Sequence, residues 1–349
     1  MGLDFVKHYE GNRLEGGTSQ PGQFDSPPNG DEEDDTQIEL DIERDRQDWA
    51  AIPIHALAGW RPDEWPLSPV RFVDGKDVGK VIAWLHSPEG YPVPIRLSQI
   101  GGVAMRVVNH DVRREFFTVE RVVSMPVDFF PWDEVESFAA ELQQEGFHLL
   151  PATAYKPENR MNYQKMARVT DSRSREEMFV LEELAIAQDA SIPTIVDGRL
   201  EPHQGGFERD TSPVFGVIKH HYRTYLHPAG LLLLYGLKAG QRTPAFVLRP
   251  PQRLTTLTWY VKISDEPGIT PDSGYVRIEV AYDWFKHQGQ DWDFANRLSR
   301  AVLEYRCRQR SYNRAAVSLQ PIVRAEESLG SNLHPESMVN QHFYRITEI

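Results

Sequence analysis

The chain of 349 residues contains a single cysteine, Cys307. An intramolecular disulfide is therefore excluded, and so is a zinc site built on several thiolates. That usage suits a reducing compartment, and a cytoplasmic protein is expected. Long apolar runs are also missing. The longest, Ala229–Leu237, falls far short of the roughly 20 residues that cross a bilayer. Met1 to Val6 show neither the basic and apolar regions of a secretory signal nor the Ser or Thr at position 6 of a myristoylation site. No membrane association is expected. There is no P-loop, so any ATP-driven step has to come from another protein.

Basic charge is in short supply as well. Lys and Arg number 38 against 51 Asp and Glu, a net charge of −13 that at first argues against a nucleic-acid partner. The distribution changes that reading. Asp31 to Asp48 hold ten carboxylates and two arginines, −8 of the −13, which leaves an ordinary −5 for the rest. Residues 11–36 are rich in Gly, Pro, Ser, Asp and Glu. Residues 1–50 thus read as a flexible acidic N-terminal segment, either a solvated linker or an interaction tail that mimics DNA charge. The chain has 8 Trp, 13 Tyr and 16 Phe, most of them after residue 50, so residues 51–349 have ample apolar surface to offset the entropy of ordering, and read as one folded domain.

Val70–Gly75 reads as a strand closed by a turn, followed by β-rich stretches near Gly102–Asn109 and Glu115–Met125, an antiparallel meander. Asp133–Gly146 and Ser174–Ala190 show helical spacing. Ile192–Gly198 is an almost wholly apolar strand ending in Asp197-Gly198, as expected of one buried on both faces. Further strands are expected at Pro213–His221, Ala245–Leu248, Leu257–Ile263 and Tyr275–Ala281. Helices are expected at Phe294 to about Arg310 and at Pro321–Leu329. Strands first, then helices alternating with strands, give a mixed α/β sheet flanked by helices.

Asp74 and Asp197 each close an apolar strand and precede Gly. On neighbouring strands their carboxylates would meet at one sheet edge, where open α/β folds keep their sites. The preceding helix offers Glu176, Glu177, Glu182 and Glu183, and the last helix Glu326 and Glu327. Acids from two strands and two helices make an oxygen-rich set suited to Mg²⁺ or Mn²⁺, and two such ions can cleave a phosphodiester.

The order of these segments resembles the NurA family of nucleases. Phe72-Val73-Asp74-Gly75 is similar to the family's first Asp-Gly strand, Phe179-Val180-Leu181-Glu182 to its helix with an essential acid, and Ile195-Val196-Asp197-Gly198-Arg199-Leu200 to its second Asp-Gly strand. Phe215-Gly216-Val217-Ile218-Lys219 is similar to a Gly-x-x-Lys strand. Gly240–Pro244, which contains Arg242, and Tyr275–Glu279 resemble later strands. Pro321-Ile322-Val323-Arg324-Ala325-Glu326 falls where the family has a segment ending in Ala-His. The resemblance implies a ribonuclease H-like core, a metal-dependent DNA nuclease using a two-metal mechanism, a homodimer, and a HerA-like hexameric ATPase as partner. DNA end processing and antiviral defence are the implied settings. Asp74, Glu182, Asp197 and Glu326 would hold Mn²⁺ or Mg²⁺, with Glu177 as the alternative helix acid. Ser318 and Glu326 stand where the family has Tyr and His. That departure motivates a second reading, a catalytically degenerate subunit that binds DNA or scaffolds a motor ring. Another ribonuclease H-like enzyme, a guide-directed nuclease or a transposase, would need modules for which the chain has little room.

For nucleic acid, Arg306, Arg310 and Arg314 recur every four residues and would form one helical stripe, facing phosphates or pairing with the acidic segment. Lys219 and Arg242 are further candidates for phosphate contacts. His220 and His221 point to opposite sides of a strand and read as phosphate contacts or surface residues, not metal ligands. Trp259, Tyr260, Trp284, Phe285 and Phe294 read as packing rather than base stacking, and Leu231–Leu234 as core or subunit interface.

Overall fold

Successive residues alternate faces in a strand, and the central strands Thr194–Asp197 and Val214–Ile218 are apolar on both sides. They are therefore covered twice. The computed structural model describes residues 2–14, 37–39, 42–54, 64–154, 162–200, 212–219, 225–250, 254–266, 273–308 and 315–349. Within these, the strands are β1 (Asn12–Arg13), β2 (Gln37–Glu39), β3 (Ile52–Pro53), β4 (Arg71–His86), β5 (Pro92–Val108), β6 (Asp111–Pro126), β7 (His148–Ala152), β8 (Thr194–Asp197), β9 (Val214–Ile218), β10 (Gln241–Arg242), β11 (Phe246–Arg249), β12 (Thr256–Lys262) and β13 (Tyr275–Ala281). The helices are α1 (Phe5–His8), α2 (Trp132–Gln144), α3 (Tyr163–Ala187), α4 (Pro228–Gly236), α5 (Tyr282–His287), α6 (Asp293–Glu304), α7 (Gln320–Asn332) and α8 (Glu336–Thr347).

All of the strands join one mixed sheet in the order β2-β11-β12-β13-β9-β8-β4-β5-β6-β7; β1 pairs with β4, and β10 with β3 and β12. β4, β5 and β6 form the expected antiparallel meander. β8 lies parallel to both β4 and β9, and β13 and β12 continue the sheet in antiparallel fashion. The mixed α/β sheet flanked by helices is thus as the sequence predicts.

One face carries Phe72, Ile195, Phe215, Val217, Trp259 and Ile278 against Leu298 and Val302 of α6 and Ile322, Ala325 and Leu329 of α7. On the other face Val73, Ala104 and Val196 meet Ala185 and Ile186 of α3, while Ile100 and Val122 meet Met178 and Leu181. At the far end of the meander Phe5, Phe138 and Phe343 bring α1, α2 and α8 together over Ile82, Val93 and Ile95. Each such fully buried side chain contributes roughly 1.5–3 kcal/mol. Trp259, Tyr260, Trp284, Phe285 and Phe294 are all buried, as packing requires, whereas α4 is divided, with Leu234 buried and Leu232 77% exposed.

Three expectations are corrected. The first strand does not stop at a turn after Asp74-Gly75. It runs on to His86, paired with β5 from end to end apart from one register shift between Val81 and Ala83. A glycine inside a strand also marks close backbone approach, and that is its role here. Gly75 and Gly102 are cross-strand partners under α3. A Cβ on Gly102 would lie 2.9 Å from the carbonyl carbon and oxygen of Leu181. Gly102→Val should lift α3 from the sheet and lower stability by about 1–3 kcal/mol, read as a reduced urea midpoint.

The helix expected to reach Arg310 ends at Glu304. Beyond it, Arg306 bridges Leu319, the Cys307 amide donates to the Ser318 carbonyl at 2.7 Å, and that of Gln320 to the Tyr305 carbonyl at 2.7 Å. Pairing between these segments takes the place of the continuing helical turn. The described parts of residues 1–50 are built into the fold rather than separate from it. Residues 2–8 pack on α2, β2 pairs with β11, and Glu43 is buried in an ion pair. Residues 15–36 lie outside the described residues.

Candidate active site

Three adjacent strands each place a polar residue two positions beyond an apolar one on the same face: Phe72 then Asp74, Ile195 then Asp197, Val217 then Lys219. β8 pairs with β4 only as far as Val73–Val196, so Asp74 sits beside the C-terminal end of β8, where Asp197 closes it. Gly198 follows at φ +131, a conformation open to glycine, and carries the chain across β9. A Cβ on Gly216 would come within 2.7 Å of the Gly198 carbonyl oxygen. From above, α7 buries Ile322, Ala325 and Leu329 against the same face, which turns Glu326 towards the two aspartates.

The result is a group of three carboxylates, Asp74, Asp197 and Glu326, each with an oxygen within 4.8 Å of the others. Lys219 sits among them. Its buried ammonium lies 2.7 Å from Asp197 Oδ2 and 3.5 Å from Glu326 Oε1. Asp74 is 7% exposed. Burial and then the neighbouring Asp197 push its carboxyl well above the ordinary carboxylate range, with Glu326 adding; Lys219 and the Gly75 amide oppose this.

Glu182 approaches from the opposite side of the sheet. A Cβ on Gly75 would lie 2.5 Å from Glu182 Oε1, so the bare glycine makes room for the carboxylate. Burial, followed by Asp74, Asp197 and Glu183, also pushes Glu182 well above the ordinary range. Four carboxylates and one ammonium amount to −3 if all are ionised, in a setting where an isolated charge is expensive. A cation would relieve this, and an all-oxygen donor set is the chemistry that Mg²⁺ and Mn²⁺ prefer.

No family model matches the chain, and no curated protein matches it. A solved structure does. The NurA nuclease from Sulfolobus solfataricus aligns over 80% of this chain and 83% of its own, at 8% identity and a TM-score of 0.40. Such a likeness transfers no residue roles, and what the site can do follows from its own geometry.

Asp74, Asp197 and Glu326 are brought together, with Glu182 close by. Glu177 is not: it pairs with Arg173 at 2.8 Å on the surface of α3. It lies five residues from Glu182, and five residues on a helix turn the side chain well away from that face. Arg242 is corrected too. It is fully buried, bonded through both Nη atoms to Glu43 at 2.8 Å and through Nε to Asn296 at 2.8 Å, so it meets no external phosphate. Arg306 does not lie on the helix expected to carry it, since α6 ends at Glu304; its Nη1 donates to the Leu303 carbonyl at 2.9 Å. Arg297 and Arg300 pair with Asp293 and Glu304 on their own helix. Arg310, Arg314, His220 and His221 lie outside the described residues. Sequence reasoning missed the seating role of Gly102 and the placement of Lys219 as the counter-charge at the centre of the acids. The first left a signal, a Gly-Gly pair inside a strand pattern.

Proposed function

We propose that the protein is a metal-dependent DNA nuclease of NurA type that cleaves phosphodiester bonds by a two-metal mechanism. The observation that carries this reading is the convergence of Asp74, Asp197 and Glu326 on one face, with Glu182 reaching them past Gly75. The ribonuclease H-like part of the reading rests on the strand order β6-β5-β4-β8-β9, an antiparallel meander continued by two parallel strands. Asp74, Asp197 and Glu326 would hold Mn²⁺ or Mg²⁺, with Glu182 completing the set. Such ions would supply charge neutralisation at the cleaved phosphate and an attacking water of lowered pKa.

The chain's own groups would do the rest. The carboxylates would orient the donor oxygens, because each is fixed by a strand or a packed helix rather than by a loop. Lys219, held between Asp197 and Glu326, balances part of their charge and would turn its ammonium to a phosphate oxygen as substrate arrives. Absence of a P-loop leaves translocation to a partner, and a HerA-like hexameric ATPase is the proposed one. We further propose a homodimer acting on DNA in end processing or antiviral defence in the cytoplasm.

The test is incubation of the full chain with linear single- and double-stranded DNA in Mn²⁺, Mg²⁺ or EDTA, alone and with a HerA-like motor. Cleavage in the metals and none in EDTA is expected. Salt-sensitive DNA binding without cleavage under every condition would favour the second reading, a degenerate subunit. The motivation for that reading is Glu326 and Ser318, in place of the family's His and Tyr.

A further inference from the structure

Resting on that reading, we infer that Lys76 is a substrate-binding residue that holds the phosphate next to the one being cleaved. Lys76 follows Asp74 by two positions on β4 and faces the same way. Its cross-strand partner Gly101 confirms the face, for a Cβ there would lie 2.8 Å from Leu329 Cδ2 of α7. The Lys76 ammonium lies 3.5 Å from where Gly330 would carry a Cβ.

Glu326 and Gly330 are one helical turn apart on α7 and therefore share a face. The two elements thus stack in step: Glu326 beside Asp74, Gly330 beside Lys76. A step of one helical turn, about 5.4 Å, or of two strand residues, about 6.8 Å, resembles the separation of successive phosphates along one nucleic-acid strand.

Lys76 is half-buried, yet among the described residues it makes no ion pair. Other cations of the same elements are committed, Lys219 after β9 to Asp197 and Glu326, Lys80 of β4 to Glu336, and Arg324 of α7 to Glu327. Nor does it act as the counter-charge of the acids, a place taken by Lys219 between Asp197 and Glu326. An uncommitted ammonium one step from a carboxylate cluster suits an anion that arrives with the substrate.

The experiment uses full-length protein carrying Asp197→Asn, so that substrate survives, and a labelled single-stranded oligonucleotide in Ca²⁺ between about 50 and 200 mM KCl. Adding Lys76→Ala should weaken binding roughly three- to tenfold and reduce the slope of log Kd against log salt by about 0.7, one phosphate contact. Lys76→Arg should restore the slope. Lys7→Ala, at the far end of the meander, should leave it alone. An unchanged slope in Lys76→Ala, with the parent still binding, overturns the role of Lys76 and leaves the nuclease reading intact. If the parent shows no salt-dependent binding and the wild type no cleavage, both fall.

Discussion

Asp197→Asn is expected to lower Mn²⁺-dependent cleavage of linear DNA by at least about 100-fold, since losing a group that merely supports a metal ligand already costs 10–100-fold. The substitution suits the geometry. Asn keeps the size of the side chain and an oxygen that can still accept from the Lys219 ammonium, now at 2.7 Å, so the strand end need not move. What disappears is one of the three converging charges. Far-ultraviolet circular dichroism and the urea midpoint in EDTA should match those of the wild type. A variant that cleaves within about threefold of the wild type, measured over several metal concentrations, would remove Asp197 from the chemistry. Loss of cleavage together with loss of fold would leave the contribution of Asp197 to be read from Glu326→Gln, which perturbs the same group from the helix.

How much of this site was legible in the sequence depends on which physical signal each residue leaves. Asp197 was legible because it is the one acid of an otherwise apolar strand and closes it. Glu326 was chosen over Glu327 only through the resemblance of Pro321–Glu326 to a family segment; that Ile322, Ala325 and Leu329 turn it to the aspartates is a matter of packing. Asp74 was found for a partly mistaken reason: Asp-Gly is a turn signal, but here the strand runs on and the glycine serves α3. Glu182 was preferred to Glu177 on the family's pattern alone; that Glu182 lies at Gly75 while Glu177 pairs with Arg173 depends on where Gly75 and Gly102 allow α3 to approach, which no local pattern announces.

Arg242 illustrates the opposite failure. A basic residue near a proposed nucleic-acid site invites a phosphate contact, yet Glu43, 199 residues earlier, reaches it and buries both. No local pattern announces a pairing of that sequence separation. The same holds for Arg306, which leaves the helix to pair with the segment before α7. Periodicity reports what a segment would do alone; long-range pairing decides what it does in the fold.

Asp74→Asn should make the metal-free protein more stable and at the same time abolish its stabilisation by Mn²⁺. In the folded chain Asp74 is held well above the ordinary carboxylate range by burial and by Asp197. A carboxyl whose folded pKa is raised binds its proton more tightly folded than unfolded. Its contribution to stability is therefore present at low pH, is lost as pH rises from about 3.8 through the raised folded value, and then levels off. At pH 7–8 in EDTA the wild type bears that loss; the Asn variant has no such group and escapes it. Its amide can also donate to the neighbouring carboxylates, so a gain of about 1–3 kcal/mol is expected, the scale of an uncompensated buried polar group. In Mn²⁺ the wild type recovers most or all of that difference. A ligand at 100 times its Kd stabilises the state that binds it by about 2.7 kcal/mol, a term open to the wild type and denied to a variant lacking a central carboxylate. Urea titrations of both proteins at pH 5 and pH 8, with EDTA and with Mn²⁺, give the comparison. Equal stabilisation of both proteins by Mn²⁺ would place the cation elsewhere. A variant less stable than the wild type in EDTA at pH 8 would mean that the carboxylate is already compensated by Lys219, and that the cluster needs no cation to hold together.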